Sequence, residues 1–444
     1  MKNYIFILLG IGFISFGCNN SPKVDPDFDS KLSNPDHLFA SLENLTDVIV
    51  HDIFSPPVAS RVYVYPCIAA YEIMCKGNSD YKSMSGQLND FEGVSDPEKN
   101  KSISNALAAI RAFNVVGGSL VFSEDKMKTF TDKLYGQLDS IGVPKDVWNN
   151  SIMYGEKVAQ EILNWADKDR YKQLRSMPKY TITDEEGRWK PTPPAYMEGI
   201  EPNWREVRTM VLKSSNQFPP KTPPEYSLDK TSEFYRLTQE VKDAVTNATK
   251  EHKLIASFWD CNPFVMNQTG HMMFATKKIT PGGHWMGIAT LASKKSNSNF
   301  MQSIENLTMV SISLFDAFIS CWDEKYKSNL IRPETVINEH MDPTWIPVLQ
   351  TPPFPEHTSG HSVISSASAV ALTSLLGDNF AFTDDVETKY GLPERKFASF
   401  FNAADEAAIS RLYGGIHYMP AIEDGVAQGK KVGNYIVQNL KTKQ

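Results

Sequence analysis

The chain has 444 residues, 41% of them hydrophobic, and a formal net charge of −7. That apolar content supports a large core or several packed helical layers. Charges of both signs are mixed along the chain with no basic stripe, which excludes a nucleic-acid-binding reading.

The first eighteen residues, "MKNYIFILLGIGFISFGC", place Lys2 before an apolar run from Tyr4 to Phe16, with Gly17 ahead of Cys18. The run is too short for an ordinary membrane span and reads as a signal peptide over 1–17. A small residue before cysteine is the pattern of a lipoprotein cleavage site. The expectation is export, with Cys18 lipidated and the body tethered to a membrane at its periplasmic or cell-surface side. Residues 18–35 are polar and read as a flexible tether. No later segment reads as long and apolar enough to span a bilayer.

Helical pattern runs from Asp36 to Lys76, interrupted at Pro56-Pro57. A second block covers about 100–166, with breaks expected at Gly117-Gly118 and at Gly142-Val143-Pro144. Eight prolines between Pro191 and Pro224 exclude regular helix there and predict a long ordered connection able to cover a site. Helical pattern resumes near Ser232 and continues to the C-terminus, with little strand-like alternation. The fold class expected is all-α, with an N-terminal helical region over 36–230 and a catalytic helical bundle over 231–444. Cys67, Cys75, Cys261 and Cys321 form no C-x-x-C pair, which argues against a zinc knuckle. Cys67 and Cys75 are too far apart on one helix to bond and read as free and buried.

Three later fragments carry chemistry. In "LTMVSISLFDAFISCWDEKYKSNLIRP", Leu307, Val310, Leu314, Phe318 and Cys321 make one apolar face, and Lys325 continues that stripe. A buried ammonium needs an anionic partner, whereas a lysine at a helix end can also snorkel to water. Arg332-Pro333 follows. In "FPEHTSGHSVISSASAVAL", Ser359 and Gly360 precede a helix whose first N–H groups are unpaired and electropositive. They can seat an oxyanion, or Thr358 or Ser359 can simply cap the helix. In "AISRLYGGIHYMPAIEDG", Arg411 and His417 flank Gly414-Gly415, which permits a sharp turn. Together the fragments offer three cations, two neutral donors, and two imidazoles, His361 and His417, able to carry protons or act as nucleophile. That set suits a multiply charged tetrahedral oxyanion, phosphate or vanadate.

The blocks K-x6-RP (Lys325, Arg332, Pro333), SGH (Ser359 to His361) and SR-x3-G-x-H (Ser410, Arg411, Gly415, His417) resemble the signature of vanadium-dependent haloperoxidases and type-2 phosphatidic acid phosphatases. The similarity is firm over about 322–429, and "FWDCNPFVMNQTGH" and "FSPPVASR" extend it over most of the chain. It implies helical bundles with the anion held in one of them. It implies that Lys325, Arg332, Ser359, Gly360 and Arg411 bind the oxyanion. His417 is then the vanadium ligand or the phosphatase nucleophile, and His361 the acid–base residue. Phe354 and Trp322 look like the apolar wall of a halide pocket, and Asp260 like a partner for Arg411. Thr358 stands where the family usually has proline. Ala421 stands where many members have aspartate, with Asp424 a substitute in a shifted loop. Glu356 and His357 are expected to crowd the entrance. For His271 and His284, packing in core or loop is the default.

The resemblance implies a vanadate cofactor acting with hydrogen peroxide and halide. The alternatives are a soluble phosphatase acting on phosphomonoesters without vanadate, and a non-catalytic surface lipoprotein.

Overall fold

The computed structural model describes residues 24–444 except 270, 271 and 276; within 266–275 only the backbone is described. The leader, Cys18 and His271 therefore lie outside the described residues. The N-terminal half supplies α1 (Phe28–Leu32), α2 (Asp36–His51), α3 (Pro56–Lys76), α4 (Asn105–Leu120), α5 (Glu124–Asp139), α6 (Lys145–Ala166) and the single turn α7 (Tyr171–Leu174). The C-terminal half supplies α8 (Glu233–Thr246), α9 (Lys250–Phe258), α10 (Pro281–Lys295), α11 (Phe300–Ser328), α12 (Pro333–His340), α13 (Gly360–Leu376), α14 (Phe400–Tyr413) and α15 (Met419–Asn439). The described strands form two short antiparallel hairpins, β1–β2 (Met266–Thr269 with Met272–Ala275) and β3–β4 (Phe382–Asp384 with Arg395–Phe397). The molecule is thus mostly helical, as the sequence predicts.

Helix α3 begins where the Pro56-Pro57 break falls, because proline is tolerated at the first helical positions. The break expected at Gly117-Gly118 does not occur; α4 runs through it to Leu120. There a Cβ at Gly117 would approach Leu45 to 3.2 Å, so the missing side chain allows close packing on α2 rather than a turn.

Helix α11 is the axis of the fold. It packs on α3 on one side and on α13 on the other. The single apolar face read from its sequence is too narrow: every residue from Phe300 to Lys325 except Gln302 is buried. Contrary to the sequence expectation, it is long and apolar enough to cross a membrane by composition, but its apolar window is wholly enclosed by protein. A helix apolar all round is what the centre of a large core requires. One apolar cluster runs from Leu32 to Leu440 across residue 230, joining the two halves.

Helix α13 is seated against α15 by a stripe of small residues. Added Cβ atoms at Gly425, Gly429 and Gly433 would come within 2.8, 2.1 and 2.8 Å of α13 atoms. Only bare glycine backbone permits this approach, and it fixes the N-terminus of α13 against the first turn of α15. There the Ser359 N–H donates to the Ala421 carbonyl at 2.9 Å.

The proline-rich connection is ordered and lies on α11. The Ile200 carbonyl accepts from Trp322 Nε1 at 3.2 Å and from the Tyr326 hydroxyl at 2.7 Å. Further along, the Asp316 carboxylate accepts the N–H groups of Met210, Val211 and Leu212 at 2.6, 2.8 and 2.9 Å. Asp316 is fully buried, so its removal strands three enclosed donors. Asp316→Ala is expected to lower unfolding stability by about 3 kcal/mol or more. Equilibrium denaturation measures this, and a loss below about 1 kcal/mol contradicts the assignment.

Candidate active site

The site gathers helix ends. Lys325 lies in the last turn of α11, Arg332 caps α12, Ser359 caps α13, and Arg411 lies in the last turn of α14. Gly415, with φ of +78°, turns the chain sharply between Arg411 and His417. That left-handed conformation favours glycine, and it returns His417 to the cavity just before α15. Tertiary packing thus brings together Lys325, Arg332, Ser359, Gly360, His361, Arg411 and His417, all buried except Gly360 and His361, which are half-buried by accessible surface.

None of the three cations has an ion-pair partner among the described residues, although all are buried. Burial, against the pull of Glu356 and aided by repulsion from Arg411, pushes the Arg332 guanidinium down to about 10. Burial likewise lowers Arg411, and lowers Lys325 to about 7. Arg332 donates from Nε to the Phe354 carbonyl at 2.9 Å and from one terminal nitrogen to the Ile416 carbonyl at 2.8 Å. That nitrogen also lies 3.1 Å from His417 Nε2. Among the described residues its other terminal nitrogen has no partner, nor does Arg411 Nε. Buried donors without acceptors are rare, and donors converging beside uncompensated positive charge fit an oxyanion. The residues present therefore suit a tetrahedral anion such as vanadate.

Lys325 departs from the role of direct oxygen contact. Its ammonium donates to the carbonyls of Pro355, Glu356 and Thr358 at 3.0, 3.1 and 2.6 Å. All three protons are thus engaged, so Lys325 acts on the cavity through its charge and by wrapping the 355–358 segment around the end of α11. Ser359 Oγ accepts the Ser362 N–H at 3.3 Å, a helix cap, while the first N–H groups of α13 have no intrahelical acceptor. The capping and anion-seating readings are therefore compatible.

Glu356 is the residue that sequence reasoning misplaced. It does not crowd an entrance: it is fully buried and accepts from His417 Nδ1 at 2.8 Å and from the Tyr418 N–H at 2.9 Å. A proton on Nδ1 leaves Nε2 unprotonated, with its lone pair turned inward to Arg332. Glu356 thus holds His417 from the opposite side of the loop, where Ala421 offers no carboxylate; Asp424 does not take this place. His357 is also buried, with Nε2 3.1 Å from the Lys221 carbonyl. Thr358, in the usual proline position, donates to Gln428 Oε1 at 2.7 Å. Burial holds His417 well below the usual imidazole range, with Arg332 and Lys325 adding to the effect, so it is neutral.

His361 Nε2 lies 3.0 Å from an Arg411 nitrogen, which also donates to the Trp259 carbonyl at 2.6 Å. Burial and then Arg411 depress His361 as well. Asp260, expected beside Arg411, instead bonds the Lys278 ammonium. Its charge still favours the Arg411 cation, after burial has lowered it. Lys278 is the nearer, more exposed cation and can reach Asp260 without desolvating the pair fully.

A cleft of about 30 Å³ opens over these groups. Phe318, Trp322 and Phe354 form its apolar side, and His361, Arg411 and His417 its polar side. Trp322 and Phe354 pack with ring centroids 4.9 Å apart. Phe354 also faces two cations, with Lys325 Nζ 5.1 Å and the Arg332 guanidinium 5.2 Å from its centroid. Such contacts stabilise charge without neutralising it.

Residues 305–443 match the family model described as VCPO second helical-bundle domain. The chain is similar to the crystal structure of the first bacterial vanadium-dependent iodoperoxidase, with 51% identity and a TM-score of 0.89. That match covers 93% of this chain and 98% of the other. It also shares the fold of a holo-type bacterial vanadium-dependent chloroperoxidase, with 15% identity, a TM-score of 0.66, and coverage of 94% and 98%. The apo-type chloroperoxidase aligns with a TM-score of 0.64 at 14% identity, covering 87% and 95%. No curated protein matches. With half of its residues shared over nearly the whole length of the iodoperoxidase, the chain belongs to the vanadium-dependent haloperoxidase family.

Proposed function

We propose that this haloperoxidase uses iodide as its preferred halide, with vanadate seated on His417. The observation that carries the reading is the apolar Trp322–Phe354 wall beside three uncompensated cations. An apolar wall offers a halide no hydrogen bonds to replace its water shell, so the weakly hydrated, easily oxidised iodide loses least on entry. The 51%-identical iodoperoxidase supports the same choice.

Bound vanadate supplies activation of hydrogen peroxide toward the halide. The chain's part is to bind, orient and exchange protons. His417 presents the Nε2 lone pair, and Glu356 fixes its tautomer. Arg332 and Arg411 offer their unpartnered N–H groups to the oxyanion, and Lys325 adds charge. His361 is neutral, and once its Nε2 lone pair exchanges the Arg411 donor for peroxide it can take a proton as a base. The test is steady-state peroxide-dependent oxidation of iodide, bromide and chloride. The expected order of kcat/KM is iodide, then bromide, then chloride; chloride turnover equal to that of iodide would rule the proposal out.

Residues 1–18 support a second part of the proposal, export with a lipid anchor on Cys18. Cys18→Ser is expected to release the protein from the membrane fraction, and unchanged membrane association would refute the anchor.

A further inference from the structure

We infer that Cys261, His284 and Glu387 form a site for one divalent metal ion of the zinc type, behind the oxyanion cleft that Cys261 also lines. The three side chains come from the turn after α9, the first turn of α10, and the 3-10 turn Val386–Tyr390. All are buried, with exposures of 1%, 0% and 6%. His284 Nδ1 lies 3.5 Å from Cys261 Sγ and 3.2 Å from Glu387 Oε1, and the sulfur lies 3.7 Å from that oxygen. A triangle with these edges surrounds points about 2.0 to 2.2 Å from each corner, close to zinc–nitrogen and zinc–oxygen bond lengths and just inside zinc–sulfur. One sulfur, one nitrogen and one oxygen donor suit zinc better than a hard cation such as calcium or magnesium.

A second, independent observation lies behind the imidazole. His284 Nε2 is 2.8 Å from Asp384 Oδ2, also fully buried. A carboxylate on the far nitrogen of a ligating histidine fixes the tautomer that presents the other nitrogen to a metal. Ligation requires the Cys261 thiolate and a bare His284 Nδ1, so binding a dication releases protons. Three protein donors leave the fourth tetrahedral position for a water molecule.

The site would bear on the oxyanion cavity through charge, because His284 acts on His361 and Cys261 on Arg411, and through the backbone. Trp259 stacks on His284 with centroids 4.6 Å apart, and its carbonyl is the acceptor for Arg411. A bound ion would pin the 259–261 turn and so the aim of that carbonyl.

The test uses the full chain, stripped with chelator and titrated with cobalt(II) in the absence of vanadate. The expected result is one equivalent bound, with a thiolate-to-cobalt charge-transfer band in the near ultraviolet. Cys261→Ser should remove the band, and Glu387→Gln should weaken binding at least about tenfold. His417→Ala should leave both unchanged, so that failure of the halide reading and failure of this one are told apart. Wild-type protein that binds no cobalt stoichiometrically, or a band that survives in a folded Cys261→Ser variant, overturns the inference and leaves a metal-free hydrogen-bonded cluster. If Cys261→Ser does not fold, unaltered affinity in Glu387→Gln overturns it equally.

Discussion

His417→Ala should reduce vanadate-dependent halide oxidation by about 10³-fold or more while the protein remains folded. His417 is neutral because burial and the adjacent Arg332 and Lys325 disfavour its charged form. Its Nδ1 is engaged by Glu356, so Nε2 is the basic atom turned toward the cations. Alanine keeps the cations that seat the anion and removes this lone pair together with the Nδ1 bond to Glu356. The variant should therefore still bind vanadate weakly, as an ion, while losing turnover. Comparing vanadate affinity with kcat in the same preparation checks this. Activity within about tenfold of wild type would mean that the lone pair is not used.

Glu356→Gln should weaken vanadate affinity by about 10- to 100-fold, the usual cost of removing a ligand's outer carboxylate partner. Glutamine can still accept from His417 Nδ1 and the Tyr418 N–H, so geometry is kept and charge alone is lost. Glu356 is therefore a positioning residue with a testable pH signature. Burial raises its pKa to about 7, against the pull of Arg332 and Lys325. As pH falls through about 7 the wild-type carboxylate takes up a proton and its charge-assisted bond to His417 weakens. The ratio of wild-type to variant affinity should shrink on the acid side and reach its full size on the alkaline side. Taking the ratio cancels the protonation of vanadate itself. A pH-independent ratio would mean that Glu356 acts only as a spacer.

The parts of the site legible in the sequence are those whose geometry is local. Lys325 and Arg332 bracket one helix end, Ser359 and Gly360 open another, and Arg411 and His417 flank one glycine turn, so spacing within each block carries the information. Glu356 was not legible as the partner of His417, because 61 positions separate them and only packing of the 354–358 loop against the start of α15 brings them together. Its signal was indirect: the carboxylate absent at Ala421 had to come from somewhere, and Glu356 is the acidic residue beside the S-G-H block. Asp260 was assigned to Arg411 through the family resemblance, but Lys278 offers it a closer cation. Lys325 was legible as a buried cation, yet the three carbonyls that engage it are set by the path of a loop. The all-round burial of α11 was hidden for a related reason: Thr308, Ser311 and Asp316 look solvent-facing, but meet carbonyls and loop N–H groups inside the core.

The most direct test of the central claim is a vanadate titration of chelator-treated, phosphate-free protein, following iodide oxidation by hydrogen peroxide and hydrolysis of an aryl phosphate side by side. The buried cations, the unprotonated Nε2 of His417 beside Arg332 and the unpartnered arginine donors predict that vanadate restores iodide oxidation and saturates near one equivalent. Phosphoester hydrolysis that vanadate only inhibits, with no iodide oxidised at any vanadate concentration, would contradict it.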